Sequence, residues 1–174
     1  MKVLAFAAST STQSINKQLV TYAVSMLADA TTEVIDLNDY ALPVFSVDAE
    51  QELGQPENAV RFFNKIGEAD AVVISFAEHN GSYSAAYKNL FDWASRINQK
   101  VFQGKKMVLL ATSPGPGGAR NVLAQAENSC PFFNGDLKAT LSVPLFNDNF
   151  DTEAGKLSNE SLDAQMAEAM ATLR

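Results

Sequence analysis

Lys2-Val3-Leu4-Ala5-Phe6-Ala7-Ala8, running straight into Ser9-Thr10-Ser11-Thr12-Gln13-Ser14 and then Ile15, is the stretch that decides the architecture. A continuous apolar run of this length suits a parallel strand covered by helices on both faces. The hydroxyl-rich segment after it reads as a loop. A helical pattern follows from Ile15 to about Asp29, with Leu19, Tyr22, Ala23 and Met26 on one side. Strand, polar loop and helix together make the opening of a βαβ unit.

The same unit recurs along the chain. Thr32–Leu37 reads as a second strand, less apolar and so nearer an edge, and Asn38–Gln55 as an irregular stretch punctuated by Pro43 and Gly54. A helix from Pro56 to about Glu68 opens with proline in its first turn, where the missing N–H costs little. Ala71–Phe76 is the most apolar strand, and the loop Glu78–Ser82 leads to a helix ending near Arg96. Lys106–Thr112 is a fourth strand, followed by Ser113-Pro114-Gly115-Pro116-Gly117-Gly118 and a helix to about Ser129. Leu137–Leu145 reads as the fifth strand. After a polar loop, a helix over Ser161–Leu173 closes the chain, capped by Ser158 or Asn159. Alternating strands and helices predict one domain over residues 1–174: a doubly wound five-stranded parallel sheet in three α/β/α layers, joined by right-handed crossovers.

Bulk properties narrow the function. A formal charge of −7 argues against a general nucleic-acid surface, which needs clustered Lys and Arg. A single cysteine, Cys130, excludes an intrachain disulfide and reads as an inert helix-end residue. The single histidine, His79, leaves little material for a His-based metal site, so no metal is expected. The apolar N-terminus reads as a strand rather than a signal peptide, and no run approaches the roughly 20 residues that cross a bilayer. A reduced cytoplasmic protein without membrane association is the expectation.

In doubly wound sheets, ligands bind outside the carboxyl ends of the strands, where strand order reverses. The loops after strands one, three and four are the ones rich in Ser, Gly and Asn. The first meets a helix N-terminus, where free N–H groups and the macrodipole favour an anion; helix capping by Ser14 explains the same residues. No Gly-Lys-Ser or Gly-Lys-Thr P-loop is present. In the second, Asn80-Gly81 permits a tight turn with backbone N–H groups close to a planar ligand. Downstream, Leu90 and Trp93 share one helix side and Lys88 and Asp92 are spaced for a surface ion pair. In the third, Gly115, Gly117 and Gly118 allow close backbone approach, or simply build a turn.

These loops resemble the NADPH-dependent FMN reductases, with the related quinone, chromate and azo-dye reductases. Ala8-Ser9-Thr10-Ser11-Thr12-Gln13-Ser14-Ile15-Asn16 is similar to that family's Gly-Ser-x-Arg-x-x-Ser-x-Asn. Ala77-Glu78-His79-Asn80-Gly81-Ser82 with Lys88-Asn89-Leu90-Phe91-Asp92-Trp93 follows its Pro-Glu-Tyr-Asn-x-Ser…Leu-Lys-Asn-x-x-Asp-Trp, and Ser113-Pro114-Gly115 with Gly117-Gly118 resembles the third motif.

The resemblance implies a flavodoxin-like fold and one FMN. It implies that Ser9, Ser11, Ser14, Ile15 and Asn16 hold the phosphate. Glu78, His79, Asn80, Gly81 and Ser82 would wrap the isoalloxazine edge, largely through backbone atoms, with Ser113 and Gly115 on the opposite side. It also implies NADPH or NADH as donor, a quinone, free flavin or azo compound as small-molecule acceptor, and a homodimer or homotetramer. No side chain is expected to act as an essential acid or base. Two rivals remain: a flavodoxin-type electron carrier, and a hydrolase built on Ser9, His79 and Asp92, for which no Gly-x-Ser-x-Gly elbow is present. This chain departs from the family at Ser11, which stands where an Arg is usual, and at Ala77, His79, Ser84 and Ala85, which replace Pro, Tyr, Pro and Gly.

Overall fold

The computed structural model describes residues 1–174. In chain order the elements are β1 (Lys2–Ala8), α1 (Ile15–Ser25), β2 (Thr31–Ile35), a 3₁₀ turn (Leu37–Tyr40), α2 (Val47–Leu53), α3 (Glu57–Glu68) and β3 (Ala71–Phe76). They continue with α4 (Ala85–Ile97), β4 (Lys106–Thr112), α5 (Arg120–Ser129), β5 (Asp136–Val143), α6 (Phe146–Asn149), β6 (Phe150–Asp151), β7 (Lys156–Leu157) and α7 (Glu160–Ala171). The five long strands form one parallel sheet in the order β2-β1-β3-β4-β5, and β6 and β7 pair separately as a short antiparallel ribbon.

The strands carry the period-2 pattern into two cores. Leu4, Phe6 and Ala8 of β1 point to one face, where they meet Phe62 of α3, Tyr87 of α4 and Val122 of α5. Val3 and Ala5 point to the other, where Leu19 of α1 and Met166 of α7 pack. Both faces of the central strands are therefore dry, which is why β1 and β3 read as unbroken apolar runs. β2, the least apolar strand, is one edge of the sheet, as its composition predicts, and β5 is the other.

Several stretches differ from the sequence reading, among them the polar loop before the last helix, which holds α6, β6 and β7. The segment read as irregular contains α2, a helix with no buried residue and therefore no apolar stripe to announce it. It stands on its Ser46 cap and an Arg96–Glu50 ion pair at 2.9 Å. The first helix stops at Ser25, short of Asp29. The fifth strand ends at Val143 rather than Leu145, because Pro144 interrupts the ladder and Leu145 takes a left-handed backbone (φ 48°) that starts α6. The last helix is capped by Asn159, whose side chain accepts from the N–H groups of Ser161 and Leu162.

The strand order reverses at β1/β3: β2 lies on one side of β1, and β3, β4 and β5 follow on the other. The carboxyl ends of β1, β3 and β4 are consecutive in the sheet, so their three loops share one rim.

Candidate functional site

The first loop leaves β1 as an open row of donors. The backbone N–H groups of Thr12, Gln13, Ser14, Ile15 and Asn16 have no acceptor in the protein, whereas Ser11 N–H bonds the Ser9 hydroxyl (3.2 Å) and Lys17 N–H bonds the Ser14 hydroxyl (3.1 Å). Five successive free donors ahead of a helix make an anion cradle. Ser14 is thus the cap of α1, and its own hydroxyl proton is still free to donate. Ser11 is exposed beside the same row. Lys17, the cation next to this row in sequence, is drawn off by Asp36 at 2.5 Å, a contact that holds the Asp36 carboxyl below its usual range.

Asn16 requires a correction at the level of the side chain. Its amide is not aimed at the loop. Asn16 Oδ1 accepts from the Ser75 hydroxyl (2.7 Å) and from Thr112 N–H (3.1 Å), while Nδ2 donates to the Thr112 carbonyl (3.3 Å). One buried side chain therefore pins the start of α1 to the ends of β3 and β4, and only its backbone N–H is left for a ligand. Ser84 does similar work. Its hydroxyl caps α4 through Tyr87 N–H (3.3 Å) and donates to the Ala8 carbonyl (2.9 Å), tying α4 to the end of β1 where the family has proline.

The second loop is a tight hairpin. His79 and Ser82 bond each other both ways, at 2.9 and 3.2 Å, around Asn80 (φ 53°) and Gly81 (φ 78°). Two consecutive positive φ angles are the mark of a type I′ turn and explain the Asn-Gly pair. The N–H groups of Asn80 and Gly81 at its tip are unpaired, and nothing lies within 4 Å of where a Gly81 Cβ would sit. Glu78 turns inward: its carboxylate accepts from Val122 N–H (2.8 Å), capping α5, which has no side-chain cap of its own. Ser82 donates to Gln125 of the same helix (2.9 Å). The second and third loops are thereby locked together, while the His79 side chain is exposed.

In the third loop the glycines divide. Gly115 and Gly117 face open space, as close approach by a ligand requires. Gly118 does not: at φ 58°, a Cβ there would lie 2.4 Å from Ser142 Oγ and 3.0 Å from Pro144 N. Its role is packing against β5, so it leaves the set of ligand-facing glycines. The N–H groups of Ser113 and Gly115 are free, and the loop is anchored by Leu145 N–H to the Gly115 carbonyl and Phe146 N–H to the Ser113 carbonyl, both at 3.0 Å.

The downstream motif Lys88-Asn89…Asp92-Trp93 resolves into two devices. Lys88 and Asp92 pair at 2.6 Å on the surface of α4. Asn89 and Trp93 clamp the connection after β2: Asn89 Oδ1 accepts from Phe45 N–H (2.8 Å), and the indole N–H donates to the Pro43 carbonyl (2.8 Å). This strap walls a cleft of about 200 Å³ beside the first loop, bordered by Thr10, Asn38, Leu42 and Asn89. Periodicity identified these residues as helical but gave no sign of the strap, whose partners lie more than forty positions away. No hydrogen bond joins Ser9, His79 and Asp92, and Asp92 is occupied by Lys88, so the geometry offers no hydrolytic triad.

The donor set fits a flavin mononucleotide: an uncharged row of N–H and hydroxyl donors for one phosphate, then two loops with bare backbone for a planar ring. Comparison with known proteins agrees. The family model described as NADPH-dependent FMN reductase matches residues 1–153. The 2-hydroxy-1,4-benzoquinone reductase of a Burkholderia species is 31% identical over 137 residues, 77% of this chain and 72% of that protein. The quinone reductase of Escherichia coli (strain K12) is 35% identical over 104 residues, 59% of this chain and 55% of that protein, so the chain spans little more than half of that relative. Among solved structures, the flavoenzyme NAD(P)H:(acceptor) oxidoreductase FerB from Paracoccus denitrificans shares the fold, with a TM-score of 0.80 at 22% identity over 99% of this chain and 96% of that one. With its motifs at the three loops of one rim and a match over most of its length, the chain belongs to the NADPH-dependent FMN reductase family.

Proposed function

We propose that the protein binds one FMN per chain and passes two electrons from NADPH or NADH, through the flavin, to a quinone, free flavin or similar small acceptor. The observation that carries this reading is the row of five unpaired N–H groups from Thr12 to Asn16, set beside two loops with open backbone. Ser9, Ser11, Ser14, Ile15 and Asn16 form the phosphate end of the site. Glu78, His79, Asn80, Gly81 and Ser82 border one edge of the ring and Ser113 and Gly115 the other.

When bound, FMN supplies the hydride chemistry. The protein's residues supply binding and electrostatics. The N–H groups of Thr12–Asn16, with the Ser11 and Ser14 hydroxyls, compensate a phosphate without a cation. The tip N–H groups of Asn80 and Gly81 are preorganised donors, of the kind that stabilise growing negative charge. Glu78, Asn16 and Ser84 act as positioning residues, since their side chains bind other parts of the protein. No side chain is assigned a proton-transfer role.

Assembly as a homodimer or homotetramer through the surface around Tyr83–Arg96, and residence in the cytoplasm, belong to the same proposal. Closed symmetric association is the usual state of soluble oligomers. Light scattering that returns a monomer mass across a wide concentration range would remove the assembly part. The enzymatic part is tested by titrating apoprotein with FMN, then adding NADPH and a quinone. Quenching of flavin fluorescence, bleaching of the visible band by NADPH and its return with quinone are expected. FMN binding without bleaching by either nicotinamide would make the protein an electron carrier, and no quenching at high micromolar protein would remove the cofactor.

A further inference from the structure

A second cavity, beside the rim of loops but outside the open row of the first, lies between α4 and α5 against β3 and β4. It measures about 210 Å³, and Phe76, Tyr83, Tyr87, Phe91, Phe102 and Phe133 give it aromatic walls. An apolar cavity of roughly 150 Å³ stays dry and takes up benzene. The space is thus sufficient for one six-membered ring with a small substituent, and it falls short of the roughly 300 Å³ at which sites for larger ligands begin.

The cavity holds one polar feature that the fold itself does not use. Tyr87 is 3% exposed, yet its hydroxyl has no hydrogen-bond partner. Every side-chain nitrogen or oxygen fully sealed within the protein does have one. The Tyr87 oxygen therefore touches the open space of the cavity that the residue lines. The hydroxyl is a donor that the fold leaves unpaired, and a ligand oxygen would accept from it. Burial keeps this phenol protonated well beyond the ordinary tyrosine range, so it is a donor at any physiological pH. Across the cavity, Tyr83 and Ser129 share a loose contact of 3.4 Å. At the mouth of the cavity the charges cancel, Lys88 against Asp92 at 2.6 Å, which favours a neutral ligand. Gln125, which lines the cavity, also holds Ser82 of the second loop, so the two sites adjoin.

We propose that this cavity is a binding site for a neutral monocyclic aromatic or quinone ring bearing a carbonyl or hydroxyl oxygen that accepts a hydrogen bond from Tyr87. The site is distinct from the flavin cradle and does not depend on the cofactor reading.

The probe is 4-fluoroacetophenone, a single ring with an acceptor carbonyl, followed by ¹⁹F NMR in titrations with and without saturating FMN. Its control is 4-fluorocumene, similar in shape but without the oxygen. Saturable binding of both is expected, tighter for the ketone and unaffected by FMN. Tyr87→Phe should weaken the ketone about tenfold, the usual worth of one well-placed hydrogen bond, and leave the hydrocarbon within twofold. Ser129→Phe, filling the cavity from α5, should abolish both, with far-UV circular dichroism and melting checking that each variant is folded. Absence of saturable binding, displacement by FMN, loss of binding as the protein self-associates, or an unchanged ketone affinity in Tyr87→Phe would each overturn the proposal.

Discussion

Asn16 and Ser11 sit five positions apart in one motif and do opposite kinds of work. Asn16 spends its amide on Ser75 and Thr112, at the ends of two strands distant in sequence. Replacing it with Leu would orphan a buried hydroxyl and a buried backbone pair, at a cost of roughly 2–4 kcal/mol of stability, since each unsatisfied buried group costs about 1–3 kcal/mol. Urea denaturation should show the loss as a lower midpoint at unchanged slope; an unchanged midpoint would mean the clamp carries no net energy. Ser11, exposed beside the free N–H row, is the position where charge is missing. Ser11→Arg should tighten FMN by about 1–2 kcal/mol after ordering costs, as charge-assisted bonds do. Ser14→Ala should weaken it by about 1 kcal/mol through loss of a donor and a cap. Paired FMN titrations at fixed ionic strength measure both. If Ser11→Arg leaves affinity unchanged, the phosphate does not sit on this loop.

Among the elements, the third loop offers the sharpest contrast, because adjacent glycines there have different reasons to be glycine. Gly117→Ala should be nearly neutral for stability, with open space at its Cβ. Gly118→Ala must both hold φ at 58° and displace Ser142 and Pro144, so a loss of about 2–4 kcal/mol follows from strain plus overpacking. Equal melting temperatures for the two variants would contradict this division. The sequence presents both as loop glycines, and only the packing of β5 separates them. The same logic marks what could be read from the chain and what could not. β1, β3 and β4 were legible because both of their faces are buried, and the second loop because Asn-Gly encodes its turn locally. The helix α2 was not legible, since it buries nothing, nor was the β6–β7 ribbon, which is only two residues deep. The rim's loops were recognisable by composition and motif, but the inward roles of Glu78, Asn16 and Asn89 depend on partners 44 or more positions away.

Taken whole, the molecule carries its perturbed acids on the alkaline side. Burial, with Asp136 nearby, pushes the Cys130 thiol up to about 11, and burial with the Asp163 hydrogen bond pushes the Tyr22 phenol to about 12. Tyr40, Tyr83 and Tyr87 are raised as well, each chiefly by burial. All five groups are neutral when protonated, and the folded state keeps their protons to higher pH than the unfolded chain does. Their contribution to stability is therefore complete below the unfolded values, near 9 for the thiol and 10 for the phenols, and is lost as pH rises through the folded ones. On the acid side Asp36 is lowered by Lys17, which gives stability above its unfolded value that fades as pH falls. That pair is substantially exposed, at 43% and 33%, so solvent screening leaves it a small effect. The melting temperature should accordingly be nearly flat through neutral pH and fall above about pH 9, where the unfolding free energy drops by up to about 1.4 kcal/mol per pH unit for each titrating group. Cys130→Ala should start lower, because it opens space beside Gly135 and Met107, yet fall less steeply between about pH 9 and 11, having lost the first group to titrate. Melts of the two proteins across pH 6–11 decide the matter: parallel curves would show that the buried thiol stays out of the linkage, and a rise in stability with pH would reverse the sign assigned to all five groups.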